Sequence, residues 1–171
     1  IKVDITFADA NETTEIPVDD GPITPTPPSP GTEIEISDNG TGYLTNGITV
    51  TDANYPDDVA VVMNVPNGIK NVYVKIQSTN KTFEGLVGGM GLTKDDGMDL
   101  ASSDASELAT LFPLPKAGAS TDPEAIKYTF SMSEQLWALL GNFDGEHTFT
   151  LKVIDQTDKD ASATLKITLT K

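Results

Sequence analysis

The chain has 171 residues, 37% hydrophobic and 22% charged, which amounts to one ordinary domain with a short addition, since single domains run ~100 to 200 residues. Twenty-six acidic side chains stand against eleven lysines and no arginine, a formal charge of −15, so a phosphate backbone is repelled and no guanidinium fork is available to grip anions. These numbers exclude nucleic acid as an expected partner and disfavour anionic ligands, while the absence of cysteine removes disulfides, thiol nucleophiles and thiolate metal sites.

The chain opens on Ile1-Lys2-Val3-Asp4-Ile5-Thr6-Phe7, which alternates apolar and polar with period two, and residues 13–18 offer a second short strand. Two strands cannot bury a core, so residues 1–20 are expected to be the tail of a preceding domain, with strands docked on the body that follows as the alternative. Residues 21–32 follow as a linker: five prolines between Gly21 and Gly31 deny ladder hydrogen bonds and favour extended polyproline geometry. There is no apolar run of roughly 18 residues and no basic-then-apolar leader. The expectation is a soluble fragment, with any export signal or lipid anchor upstream of Ile1.

From residue 33 onward, strand signals recur at short intervals between turn residues. Alternation marks strands over 33–37 and 47–51, an apolar run covers 58–65, and the Pro66-Asn67-Gly68 turn leads into 69–77, where Val72, Val74 and Ile76 share a face. The closing hairpin is the clearest. His147, Phe149, Leu151 and Val153 point one way, and Ala161, Ala163, Leu165, Ile167 and Leu169 repeat the pattern in the returning strand. One wet and one buried face is the pattern of antiparallel sheets packed face to face. Capping-box spacings at Asp104 to Glu107 and Ser131 to Glu134 predict two short helices over 104–112 and 131–141, the second stopping at a left-handed Gly141. Residues 85–92, rich in glycine, lack nucleotide-loop spacing and read as a loop. The fold class is therefore all-β, an antiparallel β-sandwich over residues 33–171 with two short helical insertions.

The strand Gly68-Ile69-Lys70-Asn71-Val72-Tyr73-Val74-Lys75-Ile76, the helix ending Leu108-Ala109-Thr110-Leu111-Phe112-Pro113 and the closing Gly145-Glu146-His147-Thr148-Phe149-Thr150-Leu151-Lys152-Val153-Ile154-Asp155 come in a familiar order. Together they resemble the immunoglobulin-like modules of exported envelope lipoproteins of Bacteroidetes-type bacteria. The resemblance spans roughly residues 33 to 171, and residues 1–20 resemble the end of a β domain that precedes such modules. It implies an immunoglobulin-like sandwich, an extracellular or outer-envelope location, and membrane attachment only through a lipid anchor upstream. The cysteine pair and mid-strand tryptophan of antibody domains are absent, because Trp137 falls in a helical stretch.

Candidate chemistry is sparse. His147 is the sole histidine, so every triad or histidine-metal site must pass through it, and a structurally satisfied residue at a strand end is the expectation. Paired carboxylates such as Asp57 with Asp58 and Asp95 with Asp96 sit in turn contexts, and no catalytic residue is assigned. Calcium is the better metal candidate because it takes 6 to 8 oxygen ligands. Asp155, Asp158 and Asp160 bring three carboxylates into one hairpin connection, and residues 93–99 form a second acidic cluster, but Lys159 and Lys94 dilute both, so no cofactor is expected. For glycans, exposed aromatic faces are the usual platform, and Tyr73 and Trp137 are the candidates. The expected function is a non-catalytic spacer or adhesion unit of a surface lipoprotein, with other envelope proteins or glycans as partners. A carbohydrate-binding module is the alternative, and a hydrolase or hydrolase accessory a remoter one.

Overall fold

A computed structural model describes residues 33–51 and 54–170. The strand segment expected over residues 1–20 and the linker of 21–32 lie outside the described residues. In chain order the strands are β1 (Glu35–Ser37), β2 (Ile48–Thr51), β3 (Ala60–Asn64), β4 (Ile69–Ser78), β5 (Met98–Asp99), β6 (Lys127–Ser131), β7 (Gly145–Asp155) and β8 (Asp160–Thr170). They form two sheets, one ordered β1-β3-β6 and the other β2-β8-β7-β4-β5, which enclose a single apolar core.

Alternation decides which side chains fill that core. In β4 the inward positions are Val72, Val74 and Ile76; across the register Val74 faces Leu151 and Ile76 faces Phe149, which in turn faces Leu165. Burying each such side chain is worth about 1.5–3 kcal/mol. The two sheets are tied together by aromatic rings: Phe130 of β6 lies 6.1 Å from Phe149 of β7 and 5.9 Å from Phe112.

Two sheets packed face to face are as the sequence pattern predicts, with differences that have physical causes. The sheets are not wholly antiparallel. β2 runs parallel to β8, pairing Ile48 with Ile167 and Val50 with Leu169, because the chain leaves β1 in one sheet and crosses to the other before β2. Two strands, β5 and β6, were not legible: β5 is two residues inside an acidic loop, and β6 abuts the second helix signal. Residues 85–92 do not read out as loop throughout, since α2 (Lys81–Gly89) forms despite three glycines. The Asn80 side chain accepts hydrogen bonds from the Thr82 and Phe83 N–H groups, and Phe83 and Val87 bury its inner face; packing outweighs the ~1 kcal/mol that each helical glycine costs. A single turn, α1 (Tyr43–Asn46), precedes it in the chain.

The predicted insertions shift as well. The first is a 3-10 helix, Ser103–Leu108, and Asp104 makes no cap; the second, α3 (Glu134–Leu140), is capped by Ser133 and not Ser131, which still belongs to β6. Ser133 Oγ accepts from the Leu136 N–H at 3.1 Å and donates to the Leu111 carbonyl at 3.0 Å, so one hydroxyl fixes both the helix start and the preceding loop. Gly141 has φ −62°, not left-handed geometry. Its lack of a side chain is instead required by space, because a Cβ there would collide with the Tyr55 hydroxyl.

Candidate functional site

The sequence-level candidates fall at four separate places. His147 enters β7 on the inward phase and is 0% exposed. Its Nε2 lies 2.8 Å from the Phe143 carbonyl, which can only accept, so Nε2 carries the hydrogen. Nδ1 then accepts from Ser78 Oγ at 2.9 Å, and that hydroxyl in turn accepts from the Asn80 N–H at 3.0 Å. The Phe83 ring sits against the imidazole with centroids 4.9 Å apart, at 82°. Burial pushes the imidazole below its ordinary value, against the opposing pull of the Phe143 carbonyl. Every polar atom of the ring is thus spent on tying α2, β4 and the approach to β7 into one knot, and neither Ser78, at 8% exposure, nor His147 presents a base to solvent.

Asp155 ends β7 and is also 0% exposed. Its Oδ1 accepts from the Thr157 N–H at 2.8 Å, the Thr157 hydroxyl at 2.8 Å and the Lys159 N–H at 3.0 Å, while Oδ2 accepts from Asn67 Nδ2 at 2.8 Å. Burial raises the carboxyl, but the Asn67 amide, the Thr157 hydroxyl and the two backbone N–H groups together hold it below its ordinary value. The calcium candidate is not assembled among the described residues: the Asp155 carboxylate closes its own hairpin, with three donors on Oδ1 and one on Oδ2, and its two expected co-ligands diverge. Asp158, at φ 64°, pairs with Lys70, while Asp160 stands on the β8 side opposite Ile154. In the second acidic cluster Asp99 is likewise engaged: its Oδ2 accepts from Asn71 at 2.7 Å and its Oδ1 from the Ala101 N–H at 3.0 Å. Among the described residues no three histidine or carboxylate side chains converge as metal ligands.

The two aromatic candidates are not brought together. Trp137 lies on the buried side of α3 at 6% exposure, stacked on Tyr55 with centroids 5.1 Å apart. Its Nε1 is buried without a partner among the described residues. Tyr73, out of phase with Val72 and Val74, stands half-exposed on the outer face of the five-stranded sheet, opposite Lys152. Of the two, only Tyr73 reaches the surface.

Two open hollows of about 390 and 620 Å³ share Met90, Glu107 and Leu108 where α2, the 3-10 helix and α3 meet. Leu111 and Leu139 line the larger, and Lys94, Met98 and Asp104 the smaller. Sequence reading missed these positions, along with Ser78, Asn67 and Tyr55. For Ser78 a signal existed: it continues the inward phase of Val72, Val74 and Ile76, and a polar residue there needs a partner across the strand. That partner is His147, directly opposite in the register. Comparison with protein families, with curated proteins and with solved structures finds no match for this chain.

Proposed function

We propose that the chain is a non-catalytic, immunoglobulin-like sandwich module of an exported, lipid-anchored envelope protein, serving as a spacer or adhesion unit. The observation that carries the reading is strand order. Lettered as an immunoglobulin domain, β1, β3 and β6 are A, B and E, and β2, β8, β7, β4 and β5 are A′, G, F, C and C′. The first strand divides between the sheets, and its second half runs parallel to the last strand. A further support is His147, two residues before Phe149 on strand F, which bonds back to the Phe143 carbonyl four residues upstream, as the corner tyrosine of immunoglobulin domains does. A D strand has no counterpart among the described residues.

The engagement of Ser78, His147 and Asp155 in loop-holding bonds supports the non-catalytic half of the reading. Labelling of intact cells with a membrane-impermeant reagent tests the envelope half: the native protein is expected to react at the surface, and recovery in the cytosol unlabelled would overturn it. Turnover on a broad substrate panel, abolished in His147→Ala, would overturn the other half. A second reading, a carbohydrate-binding module, is favoured by Tyr73 on an open sheet face.

A further inference from the structure

The outer face of the five-stranded sheet differs in chemistry from the rest of the chain. Register aligns its central side chains in rows across β4, β7 and β8. Tyr73 faces Lys152, which faces Ser162. Lys75 faces Thr150, which faces Thr164. Gln77 faces Thr148, which faces Lys166. Inward neighbours alternate with these along β4 and β7 and are buried, so the nine share one solvent face. In a chain with 26 acidic residues none of the nine is acidic, and three are lysines. Strand spacings make this patch about 10 Å by 13 Å. Among the described residues no carboxylate pairs with Lys75, Lys152 or Lys166; Lys75 Nζ donates to the Asp95 carbonyl at 3.1 Å. Acidic groups stand only around it, with Glu146 and Asp160 at its ends and Asp99 opposite Tyr73, the last engaged by Asn71.

We propose that this face binds an anionic polysaccharide of the polyuronate type, with the lysines meeting sugar carboxylates, Thr148, Thr150, Ser162 and Thr164 meeting ring hydroxyls, and Tyr73 stacking on a sugar ring. The proposal rests on the carbohydrate-binding reading and names its ligand class. Charge complementarity carries it: net charge is an average, and at physiological ionic strength screening removes acids more than about 8 Å away, so a ligand over the middle of the patch meets the three lysines first, with only Glu146, Asp160 and Asp99 at the rim opposing them. A protein partner fits poorly, since protein interfaces centre on apolar and arginine anchors and the nine positions hold no aliphatic residue and no arginine. Denser polyanions, nucleic acid and sulfated glycan among them, meet more of the −15 repulsion than a chain with at most one carboxylate per ring.

The test is affinity electrophoresis and titration calorimetry of the full chain with polygalacturonate, its fully methyl-esterified form, neutral dextran, dextran sulfate, polyglutamate and single-stranded DNA. Polygalacturonate alone is expected to bind, more weakly at 0.5 M salt. The double variant Lys152→Ser/Lys166→Ser is expected to lose about tenfold in affinity at unchanged thermal stability, since both lysines are surface charges without a carboxylate partner among the described residues. Tyr73→Ala is expected to lose several-fold. Equal binding of the esterified polymer, of dextran sulfate, of polyglutamate or of DNA overturns the proposal, as does wild-type affinity in the double variant. Binding of neutral dextran alone overturns it while leaving the carbohydrate-binding reading in place. Silence toward every polymer overturns both and leaves the spacer reading standing.

Discussion

Replacing Asp155 with alanine tests whether the acidic hairpin is an internal knot or a cation site. The substitution removes the acceptor for four hydrogen bonds, three to Oδ1 and one to Oδ2. The carboxylate is sealed by its own loop yet lies just beneath exposed residues 156–160, so freed donors regain water and each bond counts toward the low end, about 0.5–1 kcal/mol. The expected loss is about 3 kcal/mol, or ~6–12 °C in melting temperature for a domain of this size. Urea unfolding followed through Trp137 fluorescence measures it. The pH profile sharpens the test. Because the folded carboxyl titrates below its ordinary value of 3.8, its bonds stabilise fully above that pH and are lost as the pH falls through the folded value. Asp155→Asn lacks that component, so the gap between it and the wild type closes in acid. Calcium at millimolar concentration and its removal by chelator are expected to leave the melting temperature unmoved. A loss below 1 kcal/mol in Asp155→Ala, a gap that persists at low pH, or a calcium-dependent rise of several degrees refutes the reasoning.

Three further outcomes follow from the same geometry. Folded His147 titrates below 6.5 and the unfolded chain at 6.5, so its contribution is complete above pH 6.5 and falls as the pH drops toward the folded value, by at most about 1.4 kcal/mol per unit; unfolding at pH 7.5 and 5.5 checks this, with His147→Gln lacking that slope. Gly141→Ala drives a methyl into Tyr55 and is expected to cost about 1–3 kcal/mol with a red-shifted Trp137 emission, while the Tyr55→Ala background makes the same change nearly silent in a double-mutant cycle. Phe149→Ala opens the ring bridge between the sheets and is expected to cost about 3–5 kcal/mol by chemical denaturation.

Much of the sandwich was legible because its long strands state their faces. The inward residues of β4, β7 and β8 alternate over ten or eleven positions, and no helix satisfies that period. What escaped was decided by distant contacts. β5 exists because Asp99 captures Asn71 and the Val72 N–H on the neighbouring strand, a pairing across 27 and 28 positions that a two-residue segment cannot announce. α2 carries glycines that argue against a helix, and it forms because Phe83 has the Phe143 ring, 5.2 Å away, and His147 to pack on. The parallel placement of β2 against β8 is a matter of which sheet the chain re-enters after α1, and nothing in the four residues Ile48–Thr51 encodes it.

The fold spends His147 and Asp155 on itself, because a small cysteine-free sandwich must fix its loops with the polar residues it has. The converse holds for lysine. Whole-chain charge argued against anions, yet strand alternation sorts residues by face without regard to the total, and three neighbouring strands gather Lys75, Lys152 and Lys166 at the middle of one outer face with Glu146 and Asp160 at its ends. Charge that decides binding is local to the face a ligand touches. It becomes legible only when register joins positions such as Lys75, Lys152 and Lys166, up to 91 residues apart in the sequence, into one patch.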